Sequence, residues 1–499
     1  MLRRRAAGIL LHVTSLPSRY GIGDLGPEAC RFVDFLAEAH QSYWQILPVT
    51  YSSAAAAYSP YDSFSAWAGN PLLISPDVLC RQGLLRDADL ADVPVFPDEA
   101  VDFRAVHACK QALLRTAFSR FAAESEPVAF DQFVTANAGW LEDFALFMAL
   151  KHRHGRQAWC DWPAPLRDRH PDALAAAREE LREPIQYERF VQYIFYRQYA
   201  ELKAYCDRRG VGVIGDVPIY VNHDSADVWA HPAVFKLDDR KRPTHVAGVP
   251  PDYFSRTGQL WGNPVYDWDS LATTGFAWWM ARLRHNLRLF DCVRIDHFRG
   301  LVAYWEVPAG RPNAIEGRWV EAPSTAFFRE LFKQMPFAPI LAEDLGHITP
   351  DVREIIRRFE FPGMRVLQFA FGGDAMGNPH RPYRYPENAV VYTGTHDNNT
   401  MRGWFETNAT MDEKNALFAY LGREVSSQDI AWEMIRLATA SVAHLAIVPM
   451  QDVLNLGAEA RMNHPGRRRG NWRWRMRPDS MTPTLARSLR ELVDVYGRG

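Results

Sequence analysis

Three acidic residues of this sequence each follow a short apolar run. Asp296 stands in Arg294-Ile-Asp-His-Phe, Glu343 in Leu-Ala-Glu-Asp344-Leu-Gly, and Asp397 in Gly-Thr-His-Asp-Asn-Asn. If the runs are parallel strands, residues at their carboxyl ends face one common site. Two carboxyl groups in such a site can act as a nucleophile and a general acid, which is the division of labour that glycoside cleavage requires.

The neighbours of two of these acids predict opposite charge states. Arg294 and Asp296 are two residues apart on one predicted strand, so their side chains share a face. A guanidinium beside a carboxylate favours the ionised form, and we therefore expect Asp296 to have a low pKa. Glu343 follows the apolar run 339–342, where partial burial would raise its pKa toward that of a general acid. Asp344, its direct neighbour, should point elsewhere.

Two other interpretations of these residues stay open at this point. A lone acid at a strand end is often a helix cap or a surface charge, although three of them, each beside Arg, His or Asn, favour a site. His297 and His396 together with the aspartates would instead suggest a metal centre. Neither His297 nor His396 stands in an HExxH or His-x-His spacing that would fix two ligands on one element, and we expect no metal. It also lacks a serine elbow of the GxSxG type.

The apolar runs themselves predict a barrel. Eight runs are short, apolar on both faces and rich in Val, Ile or Leu, as in parallel strands covered by helices: 7–13, 43–49, 212–221, 292–297, 340–346, 363–370, 389–395 and 445–450. Amphipathic helical stretches lie between them at 29–40, 187–209, 276–289, 325–335, 350–359 and 429–444. This alternation predicts an α/β fold, a (β/α)8 TIM barrel. A doubly wound open sheet is the competitor, but no GxGxxG or P-loop comes directly after any run.

Uneven spacing of the runs predicts two large insertions into a single catalytic barrel of residues 1–499. Residues from about 51 to 185 separate the second and third runs and are expected to be mostly helical, over 101–122, 131–154 and 171–182. A second insertion, about 222–270, is rich in Pro, Gly, Asp and Trp and predicts a loop or lid subdomain. Residues 451–499 are too few for a trailing β-sandwich domain.

Composition excludes several classes of protein. Of the 499 residues, 57 are Lys or Arg and 59 are Asp or Glu, and this balance argues against a polybasic nucleic-acid binder. The six cysteines form no CxxC pair, which predicts reduced thiols in the cytoplasm. The apolar run that follows Arg5 is too short for a signal peptide and predicts a buried strand. No stretch approaches the ~18 apolar residues of a membrane span. We therefore expect a cytoplasmic protein with no nucleic-acid or membrane partner.

Further motifs follow one another in a fixed order along the chain. They are Tyr58-Ser-Pro-Tyr61-Asp-Ser-Phe-Ser-Ala-Trp-Ala-Gly-Asn70-Pro, Gly215-Asp216-Val-Pro-Ile-Tyr-Val, Trp261-Gly-Asn-Pro-Val-Tyr-Asp-Trp, Arg294-Ile-Asp296-His297-Phe-Arg-Gly, Ala342-Glu343-Asp344-Leu-Gly, Gly394-Thr-His396-Asp397-Asn-Asn-Thr and the segment from Gln451 to Asn463. With these motifs the sequence resembles the 4-α-glucanotransferases, the amylomaltase or disproportionating-enzyme family related to the α-amylases, over nearly its whole length. The resemblance implies a barrel enzyme that acts on α-1,4-glucans and maltooligosaccharides, accepts glucose, and uses neither metal nor cofactor.

The resemblance also implies roles for individual residues. Asp296 matches the nucleophile, Glu343 the acid/base, and Asp397 a third carboxylate that holds sugar hydroxyls at the reacting ring. Four residues match the lining of the same subsite: Asp216, Arg294, His396 and Asn463. Tyr61 matches a ring beside that sugar, and Gln259 and Trp261 belong to a loop that covers the acceptor side. Residues 51–57, Tyr-Ser-Ser-Ala-Ala-Ala-Ala, depart from the Gly- and Pro-containing turn expected of the family.

Two aromatic-rich segments invite further hypotheses. Arg467 to Arg477 interleaves basic and aromatic residues like a single-strand nucleic-acid platform, but the alternation also fits a segment with one packed and one solvated face. Tyr253, Phe254 and Trp261 are expected to provide sugar-stacking rings on a lid over 247–261.

The same three carboxylates and cleft would also fit two functions other than glucan transfer. A hydrolase of the α-amylase type would admit water in the second step, whereas a silent glycan-binding protein would keep the cleft without the chemistry. The presence of all three carboxylates favours an enzyme. We expect it to act as a monomer.

Overall fold

A barrel of parallel strands forms the centre of the molecule. A computed structural model describes residues 4–52, 54, 57–123, 128–251, 255–374, 376–467 and 469–499. The strands of these residues are β1 (Ala6–Leu10), β2 (Tyr43–Gln45), β3 (Gly212–Val217), β4 (His245–Val249), β5 (Gln259–Pro264), β6 (Cys292–Ile295), β7 (Ala303–Pro308), β8 (Arg318–Glu321), β9 (Ile340–Ala342), β10 (Gly363–Val366), β11 (Ala389–Tyr392) and β12 (Leu445–Pro449). A closed barrel runs in the order β1, β2, β3, β6, β9, β10, β11, β12 and back to β1. Each of the eight predicted apolar runs forms one of these strands, so the (β/α)8 prediction is confirmed.

The barrel strands are apolar on both faces because each face meets protein. Every residue of β1, β6, β11 and β12 is buried. The register Ala6↔Leu445 to Leu10↔Pro449 closes the barrel between its first and last strands. The apolar run near the N-terminus is therefore a barrel strand. Because all eight strands are parallel, their carboxyl ends share one rim.

Helices cover the barrel and fill the connections between its strands. They are α1 (Pro27–Glu38), α2 (Pro76–Arg81), α3 (Phe103–Ala123), α4 (Val128–Arg153), α5 (Ala164–Arg167), α6 (Pro171–Glu180), α7 (Arg182–Arg208), α8 (Ala226–Ala230), α9 (Trp268–Thr273), α10 (Ala277–Leu289), α11 (Ser324–Gln334), α12 (Pro350–Arg358), α13 (Met401–Gly403), α14 (Met411–Leu421), α15 (Ile430–Ala440), α16 (Met450–Val453) and α17 (Pro483–Val495). The helix predicted from residue 187 begins at Arg182, because Pro184 falls in its first turn, where proline is tolerated. Among these helices, none combines the length and apolar character needed to cross a bilayer.

The long helix α7 joins the helical residues between β2 and β3 to the barrel. Phe190 of α7 packs on Phe121 of α3 with ring centroids 4.9 Å apart, and Tyr193 packs on Phe130 of α4 at 5.5 Å. Aromatic side chains bury large areas, so this contact fixes the helices against the barrel.

Two buried glutamines of α7 hold the segment that carries the Tyr58-Ser-Pro-Tyr motif. Gln192 accepts a hydrogen bond from the Gly69 amide at 2.7 Å and donates to the Gly69 carbonyl at 3.0 Å. Gln198 pairs in the same way with the amide and carbonyl of Ser75. Each glutamine therefore replaces a missing strand partner for this non-regular segment.

The range 222–270 was predicted to be loop, and that prediction is wrong for much of it. It contains the short helix α8 and two strands, β4 and β5, which belong to a four-stranded antiparallel sheet in the order β5-β4-β7-β8. The strands β7 and β8 come from residues 303–321, which the sequence pattern did not identify as strands. Because β4 pairs with β7 across some sixty residues of sequence, local composition could not indicate the sheet.

The basic and aromatic segment is packed at Trp472 and Arg475, whereas Arg467, Arg469 and Arg473 are exposed. Trp472 is 6% exposed and Arg475 only 2%. Arg475 donates hydrogen bonds to the carbonyls of Pro97 and Ser18 at 2.7 and 2.6 Å. The predicted alternation of packed and solvated residues therefore holds at Trp472 and the exposed Arg473 and fails at Arg475. These side chains do not offer the open rings on which single-stranded bases stack.

A buried ion pair ties α3 to the segment after β1 and predicts a measurable loss of stability. Lys110 Nζ lies 2.9 Å from Asp24 Oδ2 and donates to the Ile74 carbonyl at 2.7 Å, with the paired side chains 1% and 6% exposed. Lys110→Met leaves an unpaired buried carboxylate and should lower the free energy of unfolding by about 3–5 kcal/mol. Lys110→Met combined with Asp24→Asn should recover part of that loss in urea unfolding. A double variant as unstable as the single one would assign the loss to α3 packing.

Candidate active site

The three predicted carboxylates lie beyond the carboxyl ends of β6, β9 and β11, on the common rim of the barrel. Backbone hydrogen bonds extend past the strands, because the Asp296 amide donates to Val217 at 3.0 Å and the Glu343 amide donates to Ile295 at 3.1 Å. Asp296 and Glu343 therefore follow neighbouring strands whose relative position is fixed.

Arg294 is the centre of a buried polar network. Its Nε and Nη2 donate to the two carboxylate oxygens of Asp216 at 3.0 and 2.6 Å. Nη2 also lies 3.2 Å from the Tyr61 hydroxyl and 3.0 Å from Asp296 Oδ1. The bidentate pair follows from strand register, since Asp216 of β3 stands directly opposite Arg294 of β6. One guanidinium thus joins three other predicted site residues.

Tyr61 and His396 form the next layer of this network. The Tyr61 hydroxyl donates to Asp216 at 2.6 Å, and its oxygen lies 2.9 Å from His396 Nε2. The two rings stack with centroids 5.2 Å apart. Burial lowers the pKa of His396, so the imidazole is neutral. Because the tyrosine proton goes to Asp216, His396 must donate from Nε2, which fixes its tautomer.

Glu343 is held by two backbone amides. His297 N donates to Oε2 at 2.7 Å and Leu345 N donates to Oε1 at 2.8 Å. His297 adopts a left-handed backbone conformation, φ 52°, an uncommon state for a residue other than glycine that accumulates at functional sites. Burial raises the pKa of Glu343 to about 7 despite these hydrogen bonds. The expected elevation is confirmed.

Asp296 does not have the low pKa that its sequence neighbours suggested. Burial raises the pKa of this carboxyl well above its usual range, and the charges of Asp216, Glu343 and Asp397 raise it further, whereas Arg294 lowers it. The expectation was wrong because it counted one cation and left out, first, the burial of the carboxyl and, second, three neighbouring carboxylates. Arg294 also makes two hydrogen bonds to Asp216 and one to Asp296, so most of its charge is already compensated.

Asp397 is positioned by the segment after β12. Asn463 Nδ2 donates to Asp397 Oδ1 at 2.6 Å, and His396 Nε2 lies 3.4 Å from Oδ2. Arg461 donates to the backbone carbonyl of Asp397 at 2.6 Å and to that of Asn463 at 2.6 Å. Arg461 was absent from the predicted set, because its contacts are to carbonyl oxygens that no motif displays.

Gln259 and Trp261 lie on β5, at one edge of the antiparallel sheet. The Trp261 indole N–H donates to Gln259 Oε1 at 3.2 Å, and its ring meets the His297 ring edge-on at 4.7 Å. Trp261 is 37% exposed. These two residues therefore lie next to the segment that carries Asp296. Tyr253 and Phe254, expected on the same lid, lie outside the described residues.

Trp472 belongs to the site although it was not predicted there. Its ring lies 5.9 Å from that of Tyr61 and 6.0 Å from that of His396, and its backbone is left-handed, φ 64°. The alternation of Arg and Trp drew attention to this segment, but it suggested a nucleic-acid platform or a half-packed segment and not a part of the active site.

Asp344 has a structural place, as expected. It accepts from the Met364 amide at 2.6 Å and lies 3.2 Å from Arg365, so it points toward β10. Among the described residues, no group of three His, Cys, Asp or Glu side chains has the arrangement of a metal site.

The raised pKa of Glu343 predicts how its removal changes stability. The pKa is about 7 in the folded protein and about 4.3 in an unfolded chain, so the native state binds more protons between these values. Stability present at low pH is therefore lost as the pH rises through this window. Glu343→Gln removes the ionisable group and should be about 1–3 kcal/mol more stable than the parent at pH 8 and nearly equal at pH 4. A difference in urea unfolding that does not vary with pH would contradict this.

Comparison with known proteins identifies the family. The 4-alpha-glucanotransferase family model, Glyco_hydro_77, matches residues 11–482. The chain is 49% identical to the 4-alpha-glucanotransferases of Synechocystis sp. and of Thermus thermophilus, covering 99% or more of this chain and 99% of each relative. Its fold matches amylomaltase from Streptococcus agalactiae, solved in complex with acarbose, with a TM-score of 0.96 and 40% identity over 99% of this chain and 100% of that one. The resemblance stated from the motifs is confirmed, and the chain belongs to the 4-alpha-glucanotransferase family.

Proposed function

We propose that this protein is a 4-α-glucanotransferase that passes a segment of a 1,4-α-D-glucan to the 4-hydroxyl of glucose or of another 1,4-α-glucan. The observation that carries the proposal is the pair of carboxyls on neighbouring strands. Asp296 contacts a guanidinium, and Glu343 is held by two amides with a pKa of about 7. Family membership supports the same activity.

In the first half-reaction Asp296 is the nucleophile and Glu343 the general acid. An Asp296 oxygen attacks the anomeric carbon, the glycosidic C–O bond breaks, and the Glu343 proton passes to the leaving oxygen. A pKa of about 7 keeps that proton available near neutral pH. Burial and the neighbouring carboxylates raise the pKa of both carboxyls, so the pair retains a proton. The hydrogen bond from Arg294 to Asp296 favours the arrangement with the charge on Asp296 and that proton on Glu343.

In the second half-reaction Glu343 acts as the base. The acceptor 4-hydroxyl gives its proton to the Glu343 carboxylate and attacks the anomeric carbon, and Asp296 leaves as carboxylate. Two inversions at the same carbon give net retention.

The residues around Asp397 hold the reacting sugar. Asn463 binds Asp397 Oδ1, which leaves Oδ2 beside His396 for sugar hydroxyls, and the Asp397 side chain is 46% exposed. Tyr61, fixed by hydrogen bonds to Asp216 and His396, presents its ring to the same sugar. Hydrogen bonds to hydroxyls that strengthen in the distorted ring stabilise the transition state.

Gln259 and Trp261 position the acceptor and limit water. The Trp261 ring is partly exposed next to His297, and Gln259 holds its indole N–H. Alignment of a bound acceptor can be worth an effective molarity of about 10⁵ M or more, far above that of water. We assign residues 247–261 as a lid on the acceptor side, inserted with the helical range 51–185 into a single catalytic barrel.

The state of the cysteines bears on where the enzyme works. All six cysteines are free thiols, and burial raises the pKa of Cys206 and of Cys292 to about 12, which keeps both unreactive. This is consistent with a reducing compartment, and we place the enzyme in the cytoplasm as a monomer without metal, cofactor, nucleic-acid or membrane partner.

Product analysis from maltotriose tests the proposed function. Transfer produces longer oligosaccharides together with glucose, whereas hydrolysis produces only glucose and maltose. A protein that binds maltotriose and forms neither set of products would be a silent glycan-binding protein.

Different responses of two variants test the roles of the carboxyls. Asp296→Asn should lose nearly all activity with any donor. Glu343→Gln should lose transfer from maltotriose but still form the covalent intermediate from an α-glucosyl donor with an activated leaving group, because that step needs no proton. Mass spectrometry of the trapped intermediate measures this. Identical behaviour of both variants would show that the roles are wrongly assigned.

Trp261→Ala tests the acceptor-side lid. Loss of the ring should lower transfer more than hydrolysis, so that more glucose is released per sugar transferred from maltotriose. Trp261→Phe keeps an aromatic face and serves as the matched control, with a ratio close to that of the parent. An equal fall in both rates for Trp261→Ala would leave Trp261 with only a packing role.

A further inference from the structure

A second exposed tryptophan lies on the same antiparallel sheet as Trp261. Trp319 of β8 is 39% exposed, an unusual state for so large an apolar ring. The guanidinium of Arg299 lies over one face with Cζ 3.8 Å from the ring centroid, and the Trp305 ring meets it edge-on at 5.3 Å. Cation–π and edge-to-face contacts of this kind hold an aromatic ring in one orientation.

Arg299 connects this ring to the segments that carry the two carboxyls. It follows Asp296 by three residues, and its Nη1 donates to the backbone carbonyl of His347, in the segment after Glu343. Arg299 is itself only 6% exposed. The Trp319 ring is therefore fixed relative to Asp296 and Glu343 through one buried guanidinium.

The sheet sets the spacing between the two exposed tryptophans. Trp261 is on β5 and Trp319 on β8, and these are the two edge strands of the order β5-β4-β7-β8. Three inter-strand spacings of ~4.8 Å place the edges about 14 Å apart. One ring thus borders the catalytic segment, and the other lies at the far side of the sheet.

We propose that Trp319 is a remote glucan-binding site, where the apolar face of a glucose ring in a long α-1,4-glucan stacks on the exposed indole. The inference rests on the proposed function, because the ligand is the substrate class of that site. Arg299 and Trp305 both pack on the ring, yet 39% of Trp319 stays exposed, and sugar C–H groups can cover that exposed surface. Leu260, and not Trp261, is in register with Trp319 through Gly248 and Trp305, so a glucan that reaches both rings does not run straight across the sheet. Such a glucan must be longer than a short oligosaccharide that reaches only Trp261.

Length-dependent kinetics test this site. Trp319→Ala should raise the KM for amylose about fivefold with kcat unchanged, and leave the kinetics with maltotriose as in the parent. Trp319→Phe should restore most of the affinity for amylose. Phe337→Ala is the control, because Phe337 is 90% exposed but precedes β9, at the opposite rim of the barrel. Its loss should leave the KM for amylose and for maltotriose unchanged.

Affinity electrophoresis in gels that contain soluble starch gives a readout independent of turnover. The parent should be retarded, and Trp319→Ala should show about a fivefold higher dissociation constant. The inference would be overturned if Trp319→Ala raised the KM for amylose and for maltotriose equally, or if it left the retardation in the starch gel unchanged. A parent that is retarded by starch through Trp319 but forms no transfer products would refute the proposed function and keep the binding site.

Discussion

The whole site depends on one buried guanidinium placed among carboxylates. Asp216 is fully buried, and a carboxylate in that position is tolerated only with a paired cation. The strand register that sets Asp216 opposite Arg294 supplies that cation. The same Nη2 that binds Asp216 also contacts the Tyr61 hydroxyl and Asp296 and so orders both. The geometry of the sugar site is thus a consequence of how two barrel strands align.

The barrel was predictable from sequence because each of its strands can be recognised from its own residues. Each strand is a short run that is apolar on both faces, and each end is marked by a polar residue, so the positions of Asp296, Glu343 and Asp397 followed directly. The antiparallel sheet was not predictable, because β4 and β5 lie in a Gly- and Pro-rich range and pair with distant strands. The composition of a segment does not show which distant strand it will pair with.

The pKa values of the site residues also differ in whether their causes are local in sequence. The elevated pKa of Glu343 follows from the apolar run before it, and that local cause was visible in the sequence. The pKa of Asp296 depends on its burial in the folded site and on carboxylates brought in from three other strands, so its nearest charged neighbour in sequence indicated the wrong direction. Trp472 was missed as a site residue for a related reason, because only the fold brings its ring beside Tyr61.

The left-handed backbone at His297 limits which sequences can occupy the position after the nucleophile. In that conformation the Cβ of a β-branched residue meets the backbone, so Val, Ile and Thr are disfavoured, while Gly, Asn and Asp are tolerated. The same twist turns the His297 amide toward Glu343. The main-chain geometry therefore restricts the amino acids allowed at residue 297, independently of any contact with sugar. Substitutions that are tolerated there should come from this short set of residues.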